Sequence, residues 1–410
     1  MSIFSRLSLR DPRTLILADQ SLMSASGFLA NFLLAWKLQM ETYGNYALIF
    51  LGIMLLMSLQ QALFIQPAQV MLPRFREARQ KQFIGASLFL AIPILLIASF
   101  TFELVFGLIY SIDLLPGVLT FTCFVWLIAD LLRKLVILLK PNISLVILDG
   151  LNAALFICSI LIFNPSTLNQ AMIILGMSAL VGLGFLQVLK PHFPTKKIVL
   201  FYLFKTLPTA GWMLLTATVQ WSSSNFLLMA AGSWINASAL GVLRLSQYVF
   251  GLLNIFLQAY ESFAVPQVVK FRGSMIENMR FIARFSIPFL LPVTGLLIFM
   301  VVFFPTFFSM ISETSSHESI QYWFAALYLL IIIGYPIRVY IRAAGFNSIY
   351  FTAHLISLVF MFLSASFFIQ SFQISGVVMG MILSQGIMIL IWSVFILLKK
   401  QSAWKLSTSH

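Results

Sequence analysis

The sequence predicts an all-α polytopic membrane protein of about twelve transmembrane helices in two six-helix lobes. Three observations predict it: apolar stretches of spanning length recur from end to end, basic residues gather in alternate connections, and a set of landmarks repeats in the second half. The chain is 60% hydrophobic and only 9% charged, with a mean hydropathy of +0.99. A water-soluble domain carries roughly a quarter charged residues. This chain lacks the polar surface to live in water, so its solvent is lipid. No long alternating polar–apolar strands are present, which argues against a β-barrel.

About 20 consecutive apolar residues cross a bilayer as a helix. In the first half the spans read as Thr14–Trp36, Gly44–Phe64, Phe83–Phe106, Leu114–Leu132, Ser144–Phe163 and Ala171–Leu189. In the second they read as Leu207–Ala230, Leu240–Val265, Phe285–Phe308, Tyr322–Ile337, Tyr350–Ile369 and Ser375–Leu398. Charge placement tests the division independently. Segments 6–13, 74–81, 133–140, 190–205, 270–284, 338–342 and 399–405 hold 23 of the 25 Lys and Arg residues. All seven fall on one side if the spans are right, and the positive-inside rule then makes both termini cytoplasmic. The net charge of +13 faces anionic lipid headgroups rather than nucleic acid. The first apolar run is of full span length and reads as a helix, not a cleaved leader. Cys123 and Cys158 fall within spans and read as buried thiols.

The hydrophilic stretch Lys190–Lys197 divides the spans six and six, giving a lobe over 1–190, a basic linker over 191–205 and a lobe over 206–410. A repeat supports this division. Asn31-Phe32-Leu33-Leu34, Gly44, Pro67 and Arg74-Phe75-Arg76 are echoed by Asn225-Phe226-Leu227-Leu228, Gly241, Pro266 and Lys270-Phe271-Arg272. Halves that each start and end on the same side share an orientation, related by an axis along the membrane normal.

Polar residues inside the spans are the candidate site. Arg244, Gln247, Asn254, Gln258 and Glu261 share an arc of roughly 100° on the eighth span. A central Arg costs on the order of 3 kcal/mol in hydrocarbon, so this stripe should face protein or water. Arg244 and Glu261 lie on the order of 25 Å apart along a helix, so each needs another partner. Gln220 belongs to a second stripe with Thr206, Thr209, Thr216 and Ser223. Helix-to-helix hydrogen bonding is the competing reading of these groups. Asp19 in the first span and Asp149, aligned with Asn142 and Asn152 in the fifth, are candidates to pair with those charges or to carry protons or coupling ions. Asp130 has Arg133 and Lys134 three and four residues on, a local helix pairing. Glu103 reads as reaching an interface, and lone His354 as a structural histidine.

There is no Gly-Lys-Ser/Thr phosphate loop, no His-Glu-x-x-His and no Cys/His metal spacing, so neither cofactor nor metal is expected. The outer connection around Ile311–Gln321 offers only Glu313, His317 and Glu318 to an outward-facing enzyme. A transporter is the better expectation.

The stretch from Ala18-Asp19-Gln20 to Asn31-Phe32-Leu33-Leu34, then Tyr43-Gly44-Asn45-Tyr46-Ala47-Leu48, resembles the polysaccharide flippases of the multidrug/oligosaccharidyl-lipid/polysaccharide transporter superfamily. Ala239-Leu240-Gly241-Val242-Leu243-Arg244 and Glu261-Ser262-Phe263-Ala264-Val265-Pro266 are the second-half counterpart. The resemblance implies two lobes whose first, second, seventh and eighth helices line a central cavity. It implies export of a polyprenyl-pyrophosphate-linked oligosaccharide across a bacterial cytoplasmic membrane, for O-antigen, capsule, exopolysaccharide or teichoic acid. Arg244 would then contact pyrophosphate, and Gln247, Asn254 and Gln258 the sugars. Polyprenyl-linked oligosaccharide, anionic lipids and a downstream polymerase are the implied partners. A cation-coupled extruder of small amphiphiles is the alternative.

Overall fold

A computed structural model of the chain describes residues 12–110, 114–139, 143–270, 275–309 and 320–398. Every apolar run of spanning length is helical, because a backbone in lipid must satisfy its own polar groups and a helix does so within one segment. The described residues hold no strand. The first six helices are α1 (Pro12–Lys37), α2 (Met40–Arg74), α3 (Glu77–Tyr110), α4 (Val118–Leu139), α5 (Ile143–Phe163) and α6 (Leu168–Leu189). Next come α7 (196–234) and α8 (237–270), the latter broken at Leu252 into Ala237–Gly251 and Leu253–Lys270. Then follow α9 (Met275–Ser309), α10 (Ile320–Ala343), α11 (347–372) and α12 (374–398). A non-helical Gln373 (φ 49°, ψ −127°) separates the last two.

Seven stretches among the described residues are apolar and long enough to cross a membrane by length and composition. Large apolar side chains stand on the outside: Ile162 is 74% exposed and Leu363 76%. Surfaces of this kind are costly in water and are ordinary against lipid. The chain is a multi-pass α-helical membrane protein.

Local chemistry sets the helix ends. Thr167 and Gln170 form a reciprocal capping box at the start of α6. Asn236 caps α8, accepting from the Ala239 N–H at 2.7 Å. Glu103 does not simply reach an interface. Its carboxylate accepts from the N–H groups of Gly117 (2.6 Å) and Thr120 (2.7 Å), capping the orphan donors where α4 begins. Gly117, at φ 83°, supplies the turn that brings them there.

Two compact units divide at Trp221/Ser222, inside α7. In the first, α1 packs on α5, α3 on α4, and α4 on α6. In the second, α10 packs on α9 and α8 and against the α11–α12 hairpin. That hairpin is antiparallel: Ser357 meets Ser384 at 2.5 Å and Tyr350 stacks on Trp392 at 5.6 Å.

The repeated landmarks occupy equivalent places in the two units. Gly44 is the fifth residue of α2 and Gly241 the fifth of α8, and both are buried. Asn31 (6% exposed) and Asn225 (8%) stand near the ends of α1 and α7. The Asn-to-Gly spacing is three residues longer in the second half because α7 runs one turn further past its Asn.

Two prolines leave their mark on the ladder. Pro67 and Pro208 each follow a stretch of π-helix, Gln61–Ile65 in α2 and Tyr202–Thr206 in α7. A proline removes the N–H that would reach four residues back and crowds that carbonyl, so the turn before it widens. The thiols differ from one another. Cys123 is buried as expected, but Cys158 is exposed, because its position on α5 faces away from the packed helices.

Candidate functional site

In the first unit, α1, α4 and α5 bring Asp19, Arg133 and Asp149 together. Asp19 is fully buried and Asp149 is 2% exposed. One guanidinium serves both: Arg133 Nη2 donates to Asp19 Oδ2 and Nε donates to Asp149 Oδ2. The other Asp19 oxygen, Oδ1, is buried with no hydrogen-bond donor among the described residues. Asp130 takes Lys134 at 2.8 Å rather than Arg133, and Lys134 also reaches Gln61 Oε1 at 3.4 Å. This extends the polar network to the π turn of α2, where both amide atoms of buried Gln60 lack partners.

The charge balance of the trio follows from these contacts. Two carboxylates against one guanidinium leave a negative charge when both are ionised, and such a charge is expensive away from water. A proton or a monovalent cation at the carboxylate pair removes it. Asn152, one turn along α5 from Asp149, directs another buried oxygen (Oδ1) that lacks a donor. Asn142 lies outside the described residues.

In the second unit the stripe on α8 is partly satisfied by α10. Arg244 is 5% exposed and donates to Gln247 Oε1 (2.6 Å) and to the Tyr248 hydroxyl (3.0 Å), with its guanidinium 4.9 Å from that ring's centre. The Asn254 amide and the Tyr328 hydroxyl of α10 both stand beside Gly251. Glu261 accepts from Arg342 and, at 2.9 Å, from the Tyr335 hydroxyl. Tyr328, Tyr335 and Arg342 recur every seven residues and so share a face of α10. Gln247 and Asn254 are half-buried, whereas Gln258 is exposed. Gln220 is half-buried on the part of α7 that belongs to the first unit.

The expected second stripe is only partly visible, since the Thr209 side chain lies outside the described residues. Thr216 and Ser223 make local or structural bonds. Thr216 donates to the Trp212 carbonyl at 2.9 Å, and Ser223 meets His354 Nδ1 at 2.8 Å. Ser223 and the ring of Tyr350, in an edge-type contact with ring centres 4.8 Å apart, hold His354 as a structural histidine. Arg13, Glu313, His317 and Glu318 lie outside the described side chains.

Sequence reasoning missed two partners, Arg133 and Arg342, both assigned to connections by their nearness to span ends. The signal that could have found Arg133 is that two membrane-embedded acids, Asp19 and Asp149, demand a cation within reach.

No protein-family model matches the chain, and no curated protein matches it. Among solved structures, an inward-facing MATE family multidrug resistance transporter of the MOP superfamily matches with a TM-score of 0.68 at 13% identity, over 94% of this chain and 98% of its own. The lipid II flippase MurJ, in an inward closed conformation, matches at 0.70 and 13% identity, over 92% and 86%. The MATE multidrug transporter DinF-BH in complex with R6G matches at 0.62 and 17% identity, over 97% and 96%. This chain has the fold of the MOP superfamily transporters. Within that fold, Asp19, Arg133 and Asp149 sit on the first, fourth and fifth helices, and Arg244 to Glu261 on the eighth.

Proposed function

We propose that this chain is a transporter that moves a polyprenyl-pyrophosphate-linked oligosaccharide from the inner to the outer leaflet by alternating access, coupled to a cation. The trio of buried Asp19 and Asp149 with half-buried Arg133 carries the transport part of this reading. Ionisable groups kept inside a membrane are costly and are retained where ions or substrates move. A proton or cation arriving at the two carboxylates changes how strongly they hold Arg133, and so how firmly α1, α4 and α5 are tied. That is a differential interaction of the kind a two-state transporter needs.

The substrate class rests on α8. Arg244, held by Gln247 and Tyr248, is a fixed cation of the type that recognises phosphate oxygens, and Gln247, Asn254 and Gln258 supply amides suited to sugar hydroxyls. The bacterial cytoplasmic membrane, with both termini inside, is the setting this reading requires. A downstream polymerase is the proposed consumer of the flipped glycan.

A second reading, a cation-coupled extruder of small amphiphiles, draws on the same trio and needs no pyrophosphate contact. Lipid extracts from cells with and without the gene separate the two. The flippase reading expects undecaprenyl-linked oligosaccharide to accumulate on deletion, relieved by wild type and not by Arg244→Ala. An unchanged lipid pool in cells whose glycan pathway is running, together with sensitivity to toxic organic cations, would establish the extruder instead.

A further inference from the structure

Residues 74–81 and 190–197 carry seven Lys or Arg and a single acid, Glu77, which pairs with Lys81 at 3.1 Å. The fold lays the two segments side by side. The His192 N–H donates to the Lys81 carbonyl at 3.2 Å, and the His192 carbonyl packs so tightly on Gly85 of α3 that no Cβ would fit there. Phe75 and Arg79 of one segment with Phe83 just after it, and Lys197 of the other with Ile198 and Phe201 just after it, line a cavity of about 210 Å³.

The walls of this cavity are aromatic and well supported. Phe75 lies 5.5 Å from Phe83 and 6.1 Å from Phe201, and Phe83 lies 5.2 Å from Tyr202. The side chains of Arg79 and Lys197 are exposed, and the Arg79 guanidinium stands 6.0 Å from the Phe75 ring. In the same stretch of chain, four residues before Lys197 and three after Phe201, Phe193 is 96% exposed and Phe204 73%. Aromatic rings displayed next to a dense basic cluster belong at a lipid–water boundary, where acyl carbons cover the rings and phosphates meet the cations. At about 210 Å³ the space is smaller than pockets that enclose whole drug-sized ligands, roughly 300–1,000 Å³, so it takes part of a larger molecule.

We propose that this cavity binds the phosphate headgroup of an anionic phospholipid. Arg79 and Lys197 hold the phosphate, and Phe75, Ile198 and Phe201 hold the first acyl carbons. The concentration of positive charge disfavours a choline or ethanolamine headgroup, and the apolar walls disfavour a free phosphate ion. The lipid would pin the segment 190–201 to the start of α3, inside the first unit.

The full chain, purified from nanodiscs containing equal amounts of phosphatidylglycerol and phosphatidylcholine, tests this by native mass spectrometry of retained lipid. Wild type is expected to retain phosphatidylglycerol preferentially. Arg79→Gln with Lys197→Gln is expected to cut that retention about thirtyfold, from about fivefold for each cation near an anionic headgroup. Equal retention of the two lipids by wild type, or a preference that survives the double substitution in folded protein, overturns the proposal. So does displacement of the lipid by millimolar inorganic phosphate, which would make this a free-phosphate site. If the double variant does not fold, the wild-type preference and the phosphate competition still decide.

Discussion

The Tyr202 hydroxyl donates to the Leu63 carbonyl at 3.1 Å, tying the π turn of α7 to the π turn of α2. Leu63 stands four residues before Pro67, which cannot give it the usual helical N–H. A tyrosine 139 positions away supplies a donor instead. The ring of Tyr202 is buried beside Phe64 and Phe83, so the bond is shielded from water.

A double-mutant cycle follows from that bond. Tyr202→Phe should cost about 1 kcal/mol of stability in the parent chain. In a Pro67→Ala background, where residue 67 can donate its own N–H, the same change should cost close to nothing. Thermal unfolding of the four proteins in detergent measures the coupling, and equal costs in both backgrounds would refute this account of the bond.

Among the described residues Arg133 is the sole guanidinium touching both Asp19 and Asp149, so Arg133→Met should strand two buried carboxylates. Removing one partner of a buried ion pair costs about 3–5 kcal/mol. The triple change Asp19→Asn, Arg133→Met, Asp149→Asn should recover most of that loss while leaving cation-driven transport abolished. Melting temperature and proteoliposome flux, read together, separate the two effects. A triple variant that transports normally would remove the trio from the mechanism.

The Glu261–Arg342 pair should matter far less for stability. Arg342 is 49% exposed, so solvent screens the pair, and Arg342→Gln should cost less than about 1 kcal/mol. High salt should mimic the substitution in wild type and do nothing further to the variant. A loss comparable to that of Arg133→Met would show that the pair is desolvated in the working protein.

Glu103→Ala should weaken the start of α4 by about 1 kcal/mol, since the carboxylate caps the N–H groups of Gly117 and Thr120. Glu103→Gln keeps an acceptor and should cost less. Hydrogen exchange at residues 117–121 is the local readout, and protection unchanged in Glu103→Ala would rule out the cap.

Much of the architecture was legible because lipid imposes simple rules. Twelve predicted spans correspond to twelve helices among the described residues, and even the break between the last two, at Gln373, lies between the predicted spans ending at Ile369 and starting at Ser375. The repeat was legible for the same reason: Gly44 and Gly241 keep the same place in their helices. Candidate site residues were legible singly, as polar groups that hydrocarbon makes costly.

Their partners were not. Arg133 has Asp130 three residues before it, so local periodicity offers a pairing, but Lys134 takes Asp130, and Arg133 crosses to the next helix at Asp149 and to the first helix, 114 residues back, at Asp19. Glu261 likewise finds Arg342 and Tyr335 on α10, and the Leu63 carbonyl finds Tyr202.

The sequence by itself determined a polytopic helical membrane protein, where its helices run and which of their residues are too polar for lipid. These follow from hydropathy, helical period and backbone hydrogen bonding, all of which act over one turn or one span. Tertiary packing alone decided which buried charge meets which, because that depends on the distances between helices brought together from far apart in the chain.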